Sequence, residues 1–470
     1  MTIKDLNYIN AHYDLILVGG GIANISLALQ LINTDISILL IEAGKDIDKR
    51  KCPKDITGTC VGCKPCNITA GFSGAGCFSD CKLTYSPDVG GTLIEYVGSD
   101  NFTRLLEKAD DMFVRYGAKQ DRVSGGDYAD RLAYDCSKYG MKLIKGDIRH
   151  LGTDGSYEVM KNIRAELESS VNIDVLCGSK VTTIDFKESE VEITNHNDCV
   201  TIKYGKISVA VGRSGSDWLR RQCIMSDIPV KNSSVDIGVR VECPRSITDE
   251  VTDNLYEFKI VNYSSSDNKV RTFCVNPGGY VVQENYDDCV CVNGHSLSDN
   301  KCLNTNFALL VSCNFTDPFD EPILYGKSIC QLSTMLADGK VMVQRLVDLK
   351  NKKRSTKSRI SRLSIEPTLK DAEPGDLRYV FPANVIDSIV ETLDNLNNVI
   401  PGINGVNTIL YSPEVKFYSS KIILNKKLKS YEYDNAYFIG DSSGVTHGIM
   451  QSVMSGIYVA EDILNTSNIN

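Results

Sequence analysis

Between Tyr13 and Glu42 the chain reads as strand, tight turn, helix and strand, and no other run constrains the fold as much. Tyr13 to Val18 (YDLILV) is almost continuously apolar, as in a parallel strand buried on both faces. Gly19, Gly20 and Gly21 follow, and Ile22 to Leu31 carry apolar residues at helical spacing. Ile36 to Ile41 (ISILLI) is a second buried strand ending at Glu42. Strands alternating with helices in this way call for a parallel sheet. The glycines let the backbone approach a pyrophosphate at a helix N-terminus, where N–H groups lack intrahelical partners. Glu42, 23 residues after Gly19, stands where an acid accepts hydrogen bonds from an adenosine ribose. The expectation is a dinucleotide site contacted by Gly19, Gly21, Ile22, Ala23 and Glu42. One position departs from the pattern. Asn24 occupies the third glycine position, where a side chain either loosens helix–strand contact or hydrogen-bonds locally.

The 470 residues suggest two or three domains, and 42% hydrophobic with 24% charged residues is a globular composition. A net charge of −9 argues against a nucleic-acid footprint spread over the surface. The one basic run, Lys350 to Lys357, reads as a solvated helix end or loop. Leu15 to Ile32 is uncharged and long enough to suggest a membrane span, but its glycines, Asn24 and Gln30 break it, so no membrane association is expected. Polar opening residues and an odd count of 17 cysteines point to a cytoplasmic, reducing location. There, close-set cysteines are more often metal-binding or catalytic.

Downstream, Ala436 to Ile439 is a short strand running into Gly440 and Asp441, followed by a helical pattern from Gly448 to Leu464. Ile207 to Val211 forms another strand, followed by Gly212, and Val175 to Ile184 reads as one strand that includes Val181. Between these segments the pattern changes. Ser234 to Glu242 alternates polar and apolar residues, as in a half-exposed strand. Arg271 to Val282, Cys289 to Asn293 and Asn306 to Cys313 read as further strands of one antiparallel sheet. Leu324 to Leu349 and Asp387 to Asn397 read as helical. The expected organisation is α/β: residues 1–230 and 406–470 form one domain with a Cys-rich loop at 52–81, and residues 231–405 form an inserted mixed or antiparallel α+β domain.

Several longer stretches are specific: Gly74 to Leu83 (GAGCFSDCKL), Arg271 to Cys274 with Pro277 to Tyr280, Val292 to Ser296, Glu366 to Thr368, Glu414 to Tyr418, and Gly440-Asp441 with Gly444 to Thr446. With them the chain, from Tyr13 to Leu464, resembles a bacterial family of uncharacterised FAD-dependent dehydrogenases or oxidoreductases, flavoproteins of the two-dinucleotide-binding type. The resemblance implies FAD on a Rossmann-like domain and a substrate domain inserted into it. It implies FAD contacts at Gly74, Gly76, Phe78, Ser79, Asp80 and Lys82, at Val181 beside the adenine, and at Gly212. It also implies Gly440 and Asp441 at the ribityl chain, with Gly448, Ile449 and Met450 opening a helix aimed at the isoalloxazine. The chain departs from the family at Cys77 and Cys81, where Ala and Gly are usual. These two thiols read either as a redox pair or as packed small residues.

Cys52, Cys60, Cys63 and Cys66 contain the C-x2-C-x2-C run of iron–sulfur ligation with a fourth thiol upstream. Three uses fit: a [4Fe-4S] cluster relaying electrons to the flavin, a Zn site, or uncommitted thiols capping a loop. Cys177, Cys199, Cys243, Cys289, Cys291, Cys313 and Cys330 fall in apolar segments and read as small packed hydrophobes. Candidate catalytic groups are His447, Cys274, His295 and Lys416, with Arg240 for an anionic substrate group. His12, His150 and His196 lie in polar surroundings. The expected activity is that of an FAD-dependent oxidoreductase exchanging a hydride with an unidentified small molecule. A second Gly-x-Gly-x-x-Gly after a strand is missing, so electrons would come from substrate or from a redox protein such as ferredoxin. Two alternatives are a flavin-dependent RNA-modifying enzyme, supported only by the run at Lys350, and a non-enzymatic flavin and thiol redox sensor.

Overall fold

A computed structural model describes residues 9–53, 56, 61, 63–78, 81–195, 198–286, 289–296 and 301–467. The chain is a mixed α/β protein with several sheets and divides into two compact units. The first comprises Met1–Arg122, Ile148–Ser233 and Ser419–Asn470, and the second Val123–Asp147 and Ser234–Tyr418. The segment 123–147 therefore joins the inserted unit, and that unit runs on to Tyr418, past the expected limit at 405.

In the first unit, His12–Val18 pairs in parallel with Ile38–Glu42 on one side and with the second half of Asp198–Val209 on the other. Ile173–Cys177 adds outside Ile38–Glu42, and Ala436–Phe438 adds beside Asp198–Val209. The spatial order of these parallel strands is 173–177, 38–42, 12–18, 203–209, 436–438. Leu15, Ile16, Leu17 and Leu40 are fully buried, which is why the sequence runs apolar there without alternation. Lys180–Asp185 and Glu190–Asn195 extend the sheet with antiparallel pairing. The single strand expected over 175–184 is thus two. Gly178, at φ +76°, turns the chain, and its N–H donates to the Gly44 carbonyl.

Helix Ile22–Gln30 packs against helix Ile449–Ser467. A Cβ on Gly456 would overlap the Ala23 carbonyl oxygen, and Ser26 Oγ donates to the Val453 carbonyl at 3.0 Å, so the two helices meet backbone to backbone. Among the described residues no helix is long and apolar enough to cross a membrane.

The second unit is built on an eight-stranded sheet in the order Glu373–Pro374, Met342–Arg345, Ile409–Phe417, Val235–Pro244, Asn304–Cys313, Lys269–Pro277, Ile260–Tyr263, Lys142–Leu143. Its centre is the ten-residue antiparallel register between Val235–Pro244 and Asn304–Cys313. Tyr280–Tyr286 and Cys289–His295 do not join that sheet as expected but form a separate hairpin. Pro277 offers no N–H and Gly278 sits at φ +65°, so the ladder stops there and the chain turns away.

Along Val235–Pro244 the odd positions Val235, Ile237, Val239, Val241 and Cys243 enter a core with Phe258, Phe307, Leu309 and Val311. The even positions Asp236, Arg240 and Glu242 face the other way. The alternation was expected to mark a half-exposed strand, but both faces are buried and Arg240 and Glu242 are 0% exposed. The span 324–349 is not one helix either. Helix Pro322–Leu336 ends before Asp338 and Gly339, both at positive φ, and Met342–Arg345 is a strand. The basic run at 350–357 connects helix Leu346–Lys350 to helix Lys357–Ile360.

Candidate functional sites in the two units

In the first unit the glycine turn and its surroundings come together at the C-terminal ends of the parallel strands. Gly19, at φ +99°, lies so close to the neighbouring strand end that a Cβ would overlap the Ala210 carbonyl oxygen. Gly21 differs: its Cβ would meet only Ala210 O, at 3.8 Å, so the space beside it is open. Gly21 caps helix Ile22–Gln30 with no side-chain hydrogen bond, which leaves the first-turn N–H groups to an outside acceptor. Asn24 resolves the departure at the third glycine position. Its side chain is buried, donates to the Val18 and Gly19 carbonyls at 3.0 and 2.9 Å, and accepts from Ser208 Oγ at 2.8 Å. The amide stitches helix, turn and a neighbouring strand together.

The Glu42 carboxylate accepts from the backbone N–H groups of Gly20 and Gly44, both at 2.7 Å, and of Gly71 at 3.0 Å. A carboxylate has about four acceptor positions, so one remains for a ligand hydroxyl. Ser73 N–H donates to the Gly20 carbonyl and a Cβ on Gly74 would stand 3.4 Å from Gly21 Cα, which lays segment 71–74 along the glycine turn. Arg50, 3% exposed, holds that segment: its guanidinium donates to the carbonyls of Asn67, Ile68, Phe72 and Gly74.

Gly76 faces Ile449, and a Cβ added at Gly440, itself at φ +65°, would stand 3.2 Å from Ala23 Cβ. Gly212, at φ +62°, has open space around it. Asp441 is half-buried, accepts from Ser452 Oγ at 3.2 Å and pairs with Arg213 at 3.3 Å. His447 is half-buried next to Gly448, and its N–H donates to the Gly90 carbonyl at 2.7 Å. Met450 is buried, Lys82 opens strand Lys82–Tyr85, and Val181 is buried in the antiparallel extension opposite Ile193. Phe78 and Cys77 lie in the 3-10 turn Ala75–Phe78, while Ser79 and Asp80 lie outside the described residues. Cys81 is buried.

Cys60 also lies outside the described residues, as does His196. Among the described residues no three His, Cys, Asp or Glu side chains gather to hold a metal, so Cys52, Cys63 and Cys66 do not form one ligand set. The segment after Cys66 is anchored through its carbonyls to Arg50. Cys66 itself is held below the ordinary thiol range. Burial, the largest influence, works to raise it, but N–H groups of Thr69 and Ile68 and the Arg50 charge outweigh burial.

The second unit carries a polar face on its sheet. Arg240 donates through Nε to Asn306 Oδ1 at 3.0 Å and through Nη1 and Nη2 to the Cys274 carbonyl at 3.3 and 3.1 Å. Its Nη1 also meets Glu414 Oε1 at 3.4 Å. Arg240 is therefore enclosed and does not stand open for an anionic substrate group, contrary to the expectation. Cys274, half-buried at φ +46°, lies at a β-bulge between Phe273 and Asn276. Glu414 pairs with Lys416 at 3.1 Å.

At the sheet's other end Asp236 accepts from Arg271 Nη2 at 2.5 Å, Ser312 Oγ at 2.7 Å and Tyr418 OH at 2.8 Å. Burial presses the Asp236 carboxyl upward most strongly, yet the Arg271 charge and these bonds hold it below the ordinary carboxylate range. Glu242 goes the other way. Burial raises it in spite of bonds from Thr368, Tyr411 and Asn304. His295 is exposed at the end of the hairpin.

Stretches that looked specific in the sequence thus meet on one face: Arg271 to Cys274, Thr368, Gly294 and Glu414 to Tyr418. Asp236, Glu242, Asn276 and Asn306, which complete the face, were missed. For Asp236 and Glu242 the only sequence signal was the even-numbered polar positions of one strand, and Asn276 and Asn306 lie on two others.

Residues 234–416 match the family described as FAD-dependent protein, C-terminal domain-like. An uncharacterised protein of Clostridium beijerinckii (strain ATCC 51743 / NCIMB 8052) is 26% identical over 475 residues, covering 96% of this chain and 80% of that protein. Among solved structures, pyridoxine 4-oxidase from Mesorbium loti overlaps with a TM-score of 0.43 at 12% identity, covering 96% of this chain and 99% of that one. The p-nitrophenol 4-monooxygenase PnpA from Pseudomonas putida DLL-E4 overlaps with a TM-score of 0.39 at 10% identity, covering 98% and 81%. Both overlaps are too loose to carry an argument. The family match covers residues 234–416, and over that span it agrees with the resemblance read from the sequence.

Proposed function

We propose that the chain is an FAD-dependent oxidoreductase whose first unit is a Rossmann-like FAD-binding domain and whose second unit carries a small-molecule substrate. The observation that carries this reading is the turn at Gly21. It combines open space, an uncapped helix N-terminus and a buried acid, Glu42, one strand away. A pyrophosphate fits that combination, because the helix end supplies N–H groups and a partial positive charge. The remaining acceptor position of Glu42 takes one ribose hydroxyl, and Asp441, steadied by Ser452 and Arg213, takes a hydroxyl of the ribityl chain. When bound, FAD supplies hydride transfer at its flavin ring. Electrons come from substrate or from a redox protein such as a ferredoxin. The reading takes FAD as the cofactor and leaves Cys52, Cys60, Cys63 and Cys66 out of the electron path. Iron and zinc analysis of the purified protein should return no stoichiometric metal.

The test is Gly21→Val. Gly21 has φ −77°, so the backbone accepts a side chain, and the added atoms enter the open space. The variant should fold with an unchanged circular dichroism spectrum and lose its flavin absorbance. Retention of FAD at wild-type occupancy would refute the placement of the pyrophosphate.

A further inference from the structure

The polar face of the second unit has spent most of its hydrogen-bonding groups, and the few left over point to a ligand. Arg271 uses Nε and Nη2 on Asp236 and Tyr418, leaving Nη1 with no partner among the described residues. Lys416 uses one of its three donors on Glu414. Both cations retain access to solvent, Arg271 at 26% and Lys416 at 12% of the side chain. The strand register places Lys416 opposite Asp236, the carboxylate that holds Arg271, so both cations sit around one acid. Phe273, half-buried, lies under the Arg271 guanidinium with its ring centre 4.9 Å from Cζ.

Charge sets the kind of ligand. The face holds three cations, Arg240, Arg271 and Lys416, against the two carboxylates Asp236 and Glu414. Glu242, beyond Arg240 on the strand, bonds only neutral partners, Tyr411, Thr368 and Asn304, and burial pushes its carboxyl up, so it adds least to the charge. One negative charge balances this set, whereas a dianion would be opposed by Asp236 and Glu414 at close range. Glu414 also keeps one buried oxygen, Oε2, without a hydrogen-bond partner among the described residues. A ligand donor reaching it would relieve that cost. Arg271, held flat by Asp236, offers its Nη1 hydrogens and Lys416 its ammonium, which suits the two oxygens of a carboxylate better than the three of a tetrahedral phosphate.

We propose that this face binds the carboxylate of an aromatic or apolar monocarboxylic acid, through Arg271 Nη1 and Lys416 Nζ, with Phe273 against the body of the ligand. It deepens the oxidoreductase reading by naming the substrate class, and Asp236 acts as a positioning residue.

The test is calorimetric titration of the full-length protein with benzoate, benzamide and phenyl phosphate, with flavin content read from absorbance on the same samples. Benzoate should bind, and benzamide, its neutral counterpart of the same shape, should bind about tenfold more weakly or not at all. Phenyl phosphate should be weaker than benzoate. Arg271→Met should weaken benzoate about tenfold or more, and Arg271→Lys should not restore it, because one ammonium cannot hold Asp236 and Tyr418 and also reach the ligand as Nη1 does. Lys416→Met, on a different strand, should give a similar loss and guards against a fold defect at Arg271. The proposal is overturned by absence of benzoate binding, by benzamide binding as tightly as benzoate, by phenyl phosphate binding more tightly, or by benzoate affinity unchanged in both variants. Absence of flavin with benzoate binding intact would count against the FAD reading alone.

Discussion

Asn24 shows what a single side chain does at the glycine turn. Each of its amide hydrogens has a carbonyl and its oxygen has the Ser208 hydroxyl, so the side chain replaces the close packing a glycine would have allowed. Asn24→Leu removes all three bonds and leaves Ser208 Oγ buried without its acceptor. It should cost about 1–3 kcal/mol in denaturant unfolding. A loss below a few tenths would mean that the amide is not a stitch. Gly19 carries a different constraint. Gly19→Ala sets a Cβ against the Ala210 carbonyl at a φ of +99°, and should lower the melting temperature markedly, whereas Gly21→Val should not. A Gly21→Val melt as low as that of Gly19→Ala would show that both glycines serve packing alone. The identity of position 24 was legible in the sequence as an exception. Its partner was not, because Ser208 lies 184 residues away and no local pattern announces it.

Within the first unit a charged cluster ties helix Ser99–Arg115 to strands Lys82–Tyr85 and Asp147–His150. Asp110 accepts from Tyr85, Arg122 and Arg149, the last at 2.8 Å, and Arg149 is 2% exposed. Burial pushes the Asp110 carboxyl up most strongly, but Tyr85 and the two guanidiniums outweigh it and hold the group below its ordinary value. A depressed folded-state value means stability that is present above the unfolded carboxylate range and lost as pH falls through the folded value. Asp110→Asn should therefore cost about 3 kcal/mol at neutral pH, since Arg149 stays buried without its counter-charge, and the penalty should shrink in acid. A pH-independent penalty would remove the charge argument.

In the second unit the alternation along Val235–Pro244 was legible, and so was its apolar face. The burial of its polar face was not. The hairpin strand Cys289–His295 lies against that face, and a Cβ on Gly294 would overlap Arg240, Asn276 and Asn306. Gly294→Ala should displace the hairpin and cost about 1–3 kcal/mol, with tertiary signals lost before secondary ones on heating. An unchanged melt would mean that the hairpin is not seated on the arginine.

Each unit has its own hydrophobic core, one built around Leu15, Leu17, Leu40 and Val209, the other around Val239, Phe307 and Leu393. The first unit is assembled from three separated stretches of chain, so its boundaries are the least local property of the molecule. Periodicity locates strands and helices one at a time. It cannot say that residues 123–147 leave one unit for the other, because that depends on Lys142–Leu143 adding to the edge strand Ile260–Tyr263, more than a hundred residues later. The same discontinuity gives a test at this scale. The glycine turn at 19–24, the segment at 71–76 and the strand end at 440–450 are distant in sequence but meet at one end of the parallel sheet. Hydrogen exchange with and without FAD should slow in all three together, while the strand Val235–Pro244 keeps its own rate. At a hundredfold excess of FAD over its Kd, the same ligand should add about 2.7 kcal/mol to the stability of the first unit. Slowing confined to one of the three segments would mean that FAD does not span the strand ends, and the assignment of Glu42 and Asp441 to its two halves would fail with it.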